Sequence, residues 1–145
     1  MAQEYQKNWN DGKLTWQDFS ERSGPNVISE LKYFLGYNTL KQRFGDTTVI
    51  RFVAKGYIDK KLSWINPEFK NDQYLRYNQV IFDIVETYRR RLQYELDRLI
   101  TYFEIEGKFN QIYNSCNVEI EKFQKESNEG KELNSILFWE QKNIG

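Results

Sequence analysis

Residues 72–106 read DQYLRYNQVIFDIVETYRRRLQYELDRLITYFEIE and contain neither glycine nor proline. Apolar side chains recur there every three or four residues, the spacing that places them on one face of an α-helix. This apolar stripe consists of Tyr77, Ile81, Ile84, Tyr88, Leu92, Leu96, Leu99 and Phe103. The pattern predicts one long amphipathic helix that ends at Gly107, because glycine readily adopts the left-handed conformation of a helix C-cap.

Two further helices are predicted after Gly107. The apolar residues of the first are again three or four apart: Phe109, Ile112, Cys116, Ile120 and Phe123. The segment SNEG (127–130) interrupts this pattern, and a short closing helix follows with Leu133, Ile136, Leu137 and Trp139. The C-terminal half of the chain, residues 71–144, is therefore predicted to be helical.

The residues before Pro67 favour strands and turns. Residues 47–58, TTVIRFVAKGYI, are rich in β-branched and aromatic side chains on both faces and predict a central strand. Residues 13–19, KLTWQDF, alternate apolar and polar and predict a half-buried strand, whereas residues 28–44 fit a helix or a strand equally well. Strands in residues 9–66 followed by helices predict a single α+β domain over residues 1–145, with the helices on one face of a small sheet.

Charge and hydropathy name no nucleic-acid or membrane partner. The chain has 21 basic and 21 acidic residues, and no apolar run approaches the roughly 18 to 20 residues that cross a bilayer. The basic run Arg89–Arg91 lies three or four residues from Glu86 and Glu95, so intrahelical ion pairs are expected there instead of a nucleic-acid surface. We therefore predict no nucleic-acid binding and no membrane insertion.

Catalytic chemistry is restricted by the absence of histidine from the whole chain. Ser-His-Asp triads, Cys-His pairs and histidine-ligated zinc sites all need an imidazole. The single cysteine, Cys116, is expected to be a small buried apolar side chain. The sequence thus predicts no enzyme activity, metal or cofactor, although an enzyme that uses carboxylates and tyrosines remains an alternative.

A family resemblance is carried by residues 74–92, YLRYNQVIFDIVETYRRRL. This segment resembles the pattern LxHEQxHFDIxExYxRxL of a bacterial family of secreted zincin-like proteins of unknown function. The positions that agree with the pattern are Leu75, Gln79, Phe82, Asp83, Ile84, Glu86, Tyr88, Arg90 and Leu92. The three catalytic positions differ, since Tyr77 replaces the first His, Asn78 the Glu and Ile81 the second His.

Three other segments resemble the same family in the same order. KLTWQDF (13–19) is similar to its LTWxDF element, and Ser63-Trp64 is similar to its SW element. FQKESNEG (123–130), with Trp139 downstream, resembles a YDxETxHG segment whose His is expected to be a further metal ligand. Glu129 stands at that His. The resemblance covers most of residues 9–144, and residues 20–45 match poorly.

The resemblance implies a zincin-like fold whose catalytic site has been lost. HExxH binds zinc because side chains four apart on a helix face one ion while the Glu activates a bound water. Ile81 has no lone pair for a metal, and Asn78 cannot accept a proton from water. The expected protein is a pseudo-metalloprotease without zinc, in which Tyr77, Asn78, Ile81 and Glu129 line a remnant cleft for a protein or peptide.

Two further expectations concern location and assembly. The family is secreted, so the resemblance implies a periplasmic or extracellular protein from which a leader was removed, with the cytoplasm as the alternative. A different class of function is a helical interaction module that forms homo- or hetero-oligomers. That hypothesis predicts an exposed apolar stripe over residues 77–103.

Overall fold

Helix α1 (Asp72–Leu96) is the element against which the sheets and the other two helices pack. The computed structural model describes residues 4–142. In this part of the chain, α2 (Ile105–Glu126) and α3 (Leu133–Lys142) follow α1, and six strands precede it. The predicted order of strands and then helices in an α+β domain is confirmed.

The beginning of α1 and its apolar stripe agree with the sequence analysis. The Asn71 side chain caps the helix by accepting a hydrogen bond from the backbone N of Tyr74 at 3.0 Å. The stripe from Tyr77 to Leu96 is buried inside the chain. Burying this face against the sheet and α2 stabilises α1 more than intrinsic helix propensity does.

The end of α1 differs from the prediction. The helix stops at Leu96 instead of residue 106, and Gly107 lies in the first turn of α2. The reason is that α2 runs back along α1, as shown by the ion pair between Lys108 Nζ and Glu95 at 3.6 Å near the turn. The chain must reverse between the helices, and Phe103, predicted to belong to the buried stripe, is 98% exposed at this reversal.

The larger sheet has the order β1-β5-β4 and is antiparallel. Strands β4 (Tyr33–Phe44) and β5 (Thr47–Asp59) form a hairpin, and β1 (Gln6–Asn8) pairs with the end of β5. At the hairpin turn, Gly45 has a φ of +61°, which glycine adopts without steric cost. The predicted central strand is confirmed, and the ambiguous residues 28–44 are mostly strand.

A second, smaller sheet contains three two-residue strands in the order β2-β6-β3. Strand β6 (Trp64–Ile65) lies in the middle, parallel to β2 (Ser20–Glu21) and antiparallel to β3 (Ser29–Glu30). The N-terminal part of the chain therefore forms two small sheets instead of the single sheet that was predicted. Strand β3 lies at the edge of its sheet.

The segment KLTWQDF (13–19) is not the strand predicted from its alternation. Residues Trp16–Asp18 form a 3-10 helix that Thr15 and Asp18 cap reciprocally. Asp18 Oδ2 accepts a hydrogen bond from the backbone N of Thr15 at 2.9 Å and also binds Lys7 Nζ at 2.8 Å. These polar contacts outweigh the weak strand signal of a short alternating segment.

Helix α1 lies close to the larger sheet because Gly56 has no side chain. A Cβ at Gly56 would lie 3.4 Å from Cβ of Arg89 and from Cγ1 of Val85. Gln93 on α1 also accepts a hydrogen bond from the backbone N of Ala54 at 2.8 Å and donates one to Phe52 O at 3.0 Å. This side chain thus satisfies backbone groups of β5 beyond the end of β1.

The basic run on α1 is largely neutralised within the chain. Arg89 and Arg90 both bind Glu86, at 2.7 and 2.8 Å. The predicted ion pairing by Glu86 is therefore confirmed, whereas Glu95 pairs with Lys108 of α2 and not within its own helix. No helix among residues 4–142 is both long enough and apolar enough to cross a membrane.

Cys116 on α2 has the environment expected from the sequence. Its side chain is fully buried among the apolar residues of the core. Burial, together with the nearby charge of Glu119, raises the pKa of the Cys116 thiol to about 12. The side chain therefore packs as a neutral thiol.

Candidate functional site

A cleft of about 670 Å³ opens between the edge strand β3, the beginning of β4 and helices α1 and α2. The four positions singled out by the sequence all line it: Tyr77, Asn78, Ile81 and Glu129. Tyr77 and Ile81 are each only 3% exposed and Asn78 is fully buried, so they form its floor. Glu129 is exposed at the rim.

Glu129 reaches the cleft because the chain turns sharply after α2. Asn128 and Glu129 both have positive φ angles, of 50° and 56°, and Gly130 follows with a φ of 93°. Gly130 lies directly on the floor, since a Cβ there would be 2.9 Å from Cγ of Tyr77. The predicted break at SNEG (127–130) is thus a tight turn that brings Glu129 to α1.

Tyr77 holds this turn through its hydroxyl group, which donates a hydrogen bond to Glu129 Oε2 at 3.2 Å. Burial raises the pKa of the Tyr77 phenol well above its usual value, and the negative charge of Glu129 raises it further. The hydroxyl therefore stays protonated at physiological pH and acts as a donor. Its ring stacks on Phe123 of α2 with centroids 5.3 Å apart.

The Asn78 amide has one hydrogen-bonding group without a partner. Its Nδ2 donates to Tyr74 O at 2.9 Å and to Ser29 Oγ of β3 at 3.2 Å. Its Oδ1 is buried and accepts no hydrogen bond from the described residues 4–142. Reversing the amide would place Oδ1 against the carbonyl oxygen of Tyr74, two acceptors with no proton between them, so the oxygen is the unpaired group.

The residues at the positions that the family resemblance would assign to zinc ligands do not fit zinc. Ile81 offers no lone pair, and the protonated hydroxyl of Tyr77 is occupied with Glu129. Within residues 4–142, no three His, Cys, Asp or Glu side chains are grouped in a way that could hold a metal ion. Asn78, at the position of the Glu in HExxH, is a neutral amide that cannot deprotonate water.

Several lining residues were not identified from the sequence. Helix α2 contributes Tyr113, Asn117, Glu121 and Gln124, and β4 contributes Tyr33, whose hydroxyl donates a hydrogen bond to Asn117 Oδ1. Burial, and to a lesser degree Cys116 and other neighbours, raises the pKa of Tyr33 to about 12. The three- and four-residue spacing of the α2 residues, beside the apolar stripe of that helix, is the signal that would have predicted them.

The other side of α1 holds residues that agree with the family pattern. Asp83 Oδ1 accepts hydrogen bonds from Trp9 Nε1 and from Gln79 Nε2, both at 2.9 Å. Gln79 Oε1 in turn accepts one from the backbone N of Leu14 at 2.7 Å. We call these four residues the N-terminal clamp, because they attach the N-terminal segment to α1.

The segments that resemble the zincin-like family also contact one another or the cleft. Leu14, in the LTWxDF-like element, is held by Gln79, and Trp64, in the SW-like element, lines the cleft. Trp139 donates to Glu126 Oε1 at 3.0 Å and packs on Phe123 at a centroid distance of 5.3 Å. The three segments outside α1 thus contact α1 or line the cleft beside it, although they are far apart in sequence.

No known protein family, curated protein or solved structure matches this chain. The resemblance to zincin-like proteins consequently rests on the four sequence segments alone.

Proposed function

We propose that this chain is a non-catalytic zincin-like protein, secreted or of the cell envelope, whose cleft binds a protein or peptide segment without cleaving it. The observation that carries the proposal is the convergence of Tyr77, Asn78, Ile81 and Glu129 on one cleft, together with the unpaired Asn78 Oδ1. Leaving a buried acceptor unpaired costs about 1–3 kcal/mol of stability. A ligand that donates a hydrogen bond to it would recover that cost.

The shape of the cleft favours an extended peptide. Strand β3, which contributes Ser29 and Glu30 to the lining, is paired on one side only, with β6. The backbone of an extended peptide adds readily to such an edge. Aromatic side chains of Tyr33, Trp64 and Tyr113 also line the cleft and provide apolar surface for side chains of the peptide.

The proposal is tested by adding a pool of capped Gly-X-Gly tripeptides to the isotope-labelled protein. We expect the NMR signals of the Asn78 amide and the Trp64 indole to shift, while mass spectrometry finds every peptide intact, with or without added zinc. The indole of Trp9, in the N-terminal clamp, is the internal control and should not shift. Peptide cleavage, or no shift of the cleft signals at millimolar peptide, would contradict the proposal.

Self-association is a second candidate function, favoured by a different surface. The apolar stripe expected to be exposed over residues 77–103 is buried within the chain as far as Leu96, so that form of the hypothesis is wrong. However, Ile100 and Phe103 are 88% and 98% exposed between α1 and α2, and Phe44 is 63% exposed at the end of the hairpin. Light scattering on wild type and on Phe103→Ser would test this candidate, which predicts a concentration-dependent mass that the substitution reduces.

A further inference from the structure

Negatively charged residues outnumber positively charged ones in the lining of the cleft. The lining contains three negatively charged residues, Glu30, Glu121 and Glu129, and one positively charged residue, Lys32. Among residues 4–142, none of these three carboxylates forms an ion pair, whereas Asp18, Glu21, Asp72, Glu86, Glu95, Glu119 and Glu140 all do. The carboxylates without an ion pair among residues 4–142 thus include three in this cleft, of which Glu129 accepts a hydrogen bond from Tyr77 and Glu30 accepts one from Trp64 Nε1.

The Asn78 amide adds an acceptor beneath these carboxylates. Because Nδ2 already donates both of its protons, only Oδ1 remains to interact with a ligand, and it can only accept. Asn78 is fully buried, so a ligand can bind at Oδ1 only if a side chain of the cleft wall moves aside. A hydrogen bond made there is shielded from water, which increases its strength, above all when the donor is charged.

The aromatic wall is also suited to a cation. The guanidinium group of Arg22 already lies 4.9 Å from the centre of the Trp64 ring, and Tyr33 and Tyr113 add two further rings to the lining. The negative face of an aromatic ring attracts ammonium and guanidinium groups.

From these three observations we infer that the cleft recognises an ammonium or guanidinium group, with Asn78 Oδ1 as its deepest acceptor and Glu121 and Glu129 as its counter-charges. The inference rests on the proposed binding function and specifies its ligand. Lysine or arginine side chains of a bound peptide and free organic amines share this chemistry.

The test compares three probes that differ in charge and source: capped Gly-Lys-Gly, capped Gly-acetyllysine-Gly and n-butylamine. The Lys peptide should shift the Trp64 and Asn78 signals with an affinity about tenfold higher than the acetyllysine peptide, because acetylation removes the positive charge. Raising the salt concentration should weaken binding of the Lys peptide and of n-butylamine, but not of the acetyllysine peptide. If n-butylamine binds as tightly as the Lys peptide, the recognised ammonium group belongs to a free amine. If n-butylamine binds more weakly, it belongs to a peptide side chain.

Variants separate this inference from the proposed function. The double substitution Glu121→Gln and Glu129→Gln, and separately Asn78→Leu, should each weaken the Lys peptide about tenfold. Glu106→Gln, an exposed carboxylate on the same helix as Glu121 but outside the cleft, should change nothing. Equal binding of the two peptides would overturn the cation inference while the binding function stands. Failure of both peptides to bind would also overturn it, and the tripeptide pool would then decide the binding function independently.

Discussion

Helix α1 carries two groups of polar side chains that differ in how completely their hydrogen bonds are satisfied. In the N-terminal clamp, Asp83 accepts hydrogen bonds from Gln79 and Trp9, and Gln79 accepts one from the backbone N of Leu14. On the cleft side, Asn78 is more deeply buried but leaves Oδ1 unpaired. A fully paired buried network stabilises a fold, whereas an unpaired acceptor weakens it unless a ligand binds. The difference distinguishes the clamp side of α1 from the cleft side, for which we propose a binding role.

The largest expected effect comes from converting the cleft floor into a metal site. The substitutions Tyr77→His, Asn78→Glu, Ile81→His and Glu129→His together should make the protein bind about one zinc ion per chain, because the backbone already brings these positions into one cleft. Elemental analysis after dialysis measures this. Stability before zinc is added should fall, since imidazoles replace apolar packing.

The control for zinc binding is the same variant with Ile81 retained, which lacks one imidazole and should bind zinc far more weakly. A correctly folded fourfold variant without zinc would contradict the zincin-like interpretation of this helix.

The second effect tests how tightly the turn at 127–130 is fixed to the cleft floor. Gly130→Ala should lower the free energy of unfolding by about 2–4 kcal/mol, because a methyl group would collide with buried rings and Gly130 has a positive φ. Urea unfolding measures the change. Gly107→Ala is the matched control, because nothing lies within 4 Å of its Cβ. It should stabilise the protein by about 0.5–1 kcal/mol, and an equal loss in both variants would show that Gly130 is not specially constrained.

A third effect probes the N-terminal clamp. Asp83→Leu keeps the number and branching of side-chain heavy atoms but leaves the Trp9 indole and the Gln79 amide without an acceptor. We expect a loss of about 2–3 kcal/mol, together with a shift of the Trp9 indole signal. If Asp83→Leu were as stable as wild type, the clamp hydrogen bonds would not stabilise the fold. The two sides of α1 would then not differ in the way described above.

A fourth and smaller effect depends on pH. Burial acts to raise the pKa of Glu86, but hydrogen bonds from Arg89 and Arg90 outweigh it and the net pKa is lowered. The stability that Glu86 contributes is therefore present above its unfolded pKa and is lost as the pH falls through the folded value. Glu86→Gln should cost about 1–2 kcal/mol at neutral pH, a modest value because both arginines are partly exposed.

Urea unfolding of wild type and of Glu86→Gln at several pH values measures this difference. It should shrink as the medium becomes acidic. A difference independent of pH would mean that packing, and not the ionised carboxylate, accounts for the loss.

The helices and strands were predictable where one spacing of apolar residues continues over many positions. The stripe from Tyr77 to Leu96 gave α1, and the β-branched residues 47–58 gave the central strand. The end of α1 was not predictable. The residues after Leu96 are locally compatible with a helix, but the chain must reverse there because α2 packs back along α1. The 3-10 helix at Trp16–Asp18 was also missed, since the alternation of apolar and polar residues was given more weight than the Thr15–Asp18 capping spacing, and the Lys7 contact with Asp18 has no local signal.

The candidate site was predictable only through the family resemblance. That resemblance named Tyr77, Asn78, Ile81 and Glu129, which indeed line one cleft. Ser29 and Tyr33 lie in the poorly matched residues 20–45, so no motif could identify them. The unpaired Asn78 Oδ1 follows from three-dimensional packing alone and has no signal in the sequence.

The most direct test of the difference between the two sides of α1 is the free energy of unfolding of Asn78→Leu in the absence of any peptide. Replacing the amide by Leu removes the unpaired buried acceptor but also the two hydrogen bonds of Nδ2 to Tyr74 O and Ser29 Oγ, so the two effects offset each other and we predict a loss of at most about 1 kcal/mol. A loss of about 2 kcal/mol or more, as predicted for Asp83→Leu, would show that Asn78 is a structural residue and would contradict the binding role of this cleft.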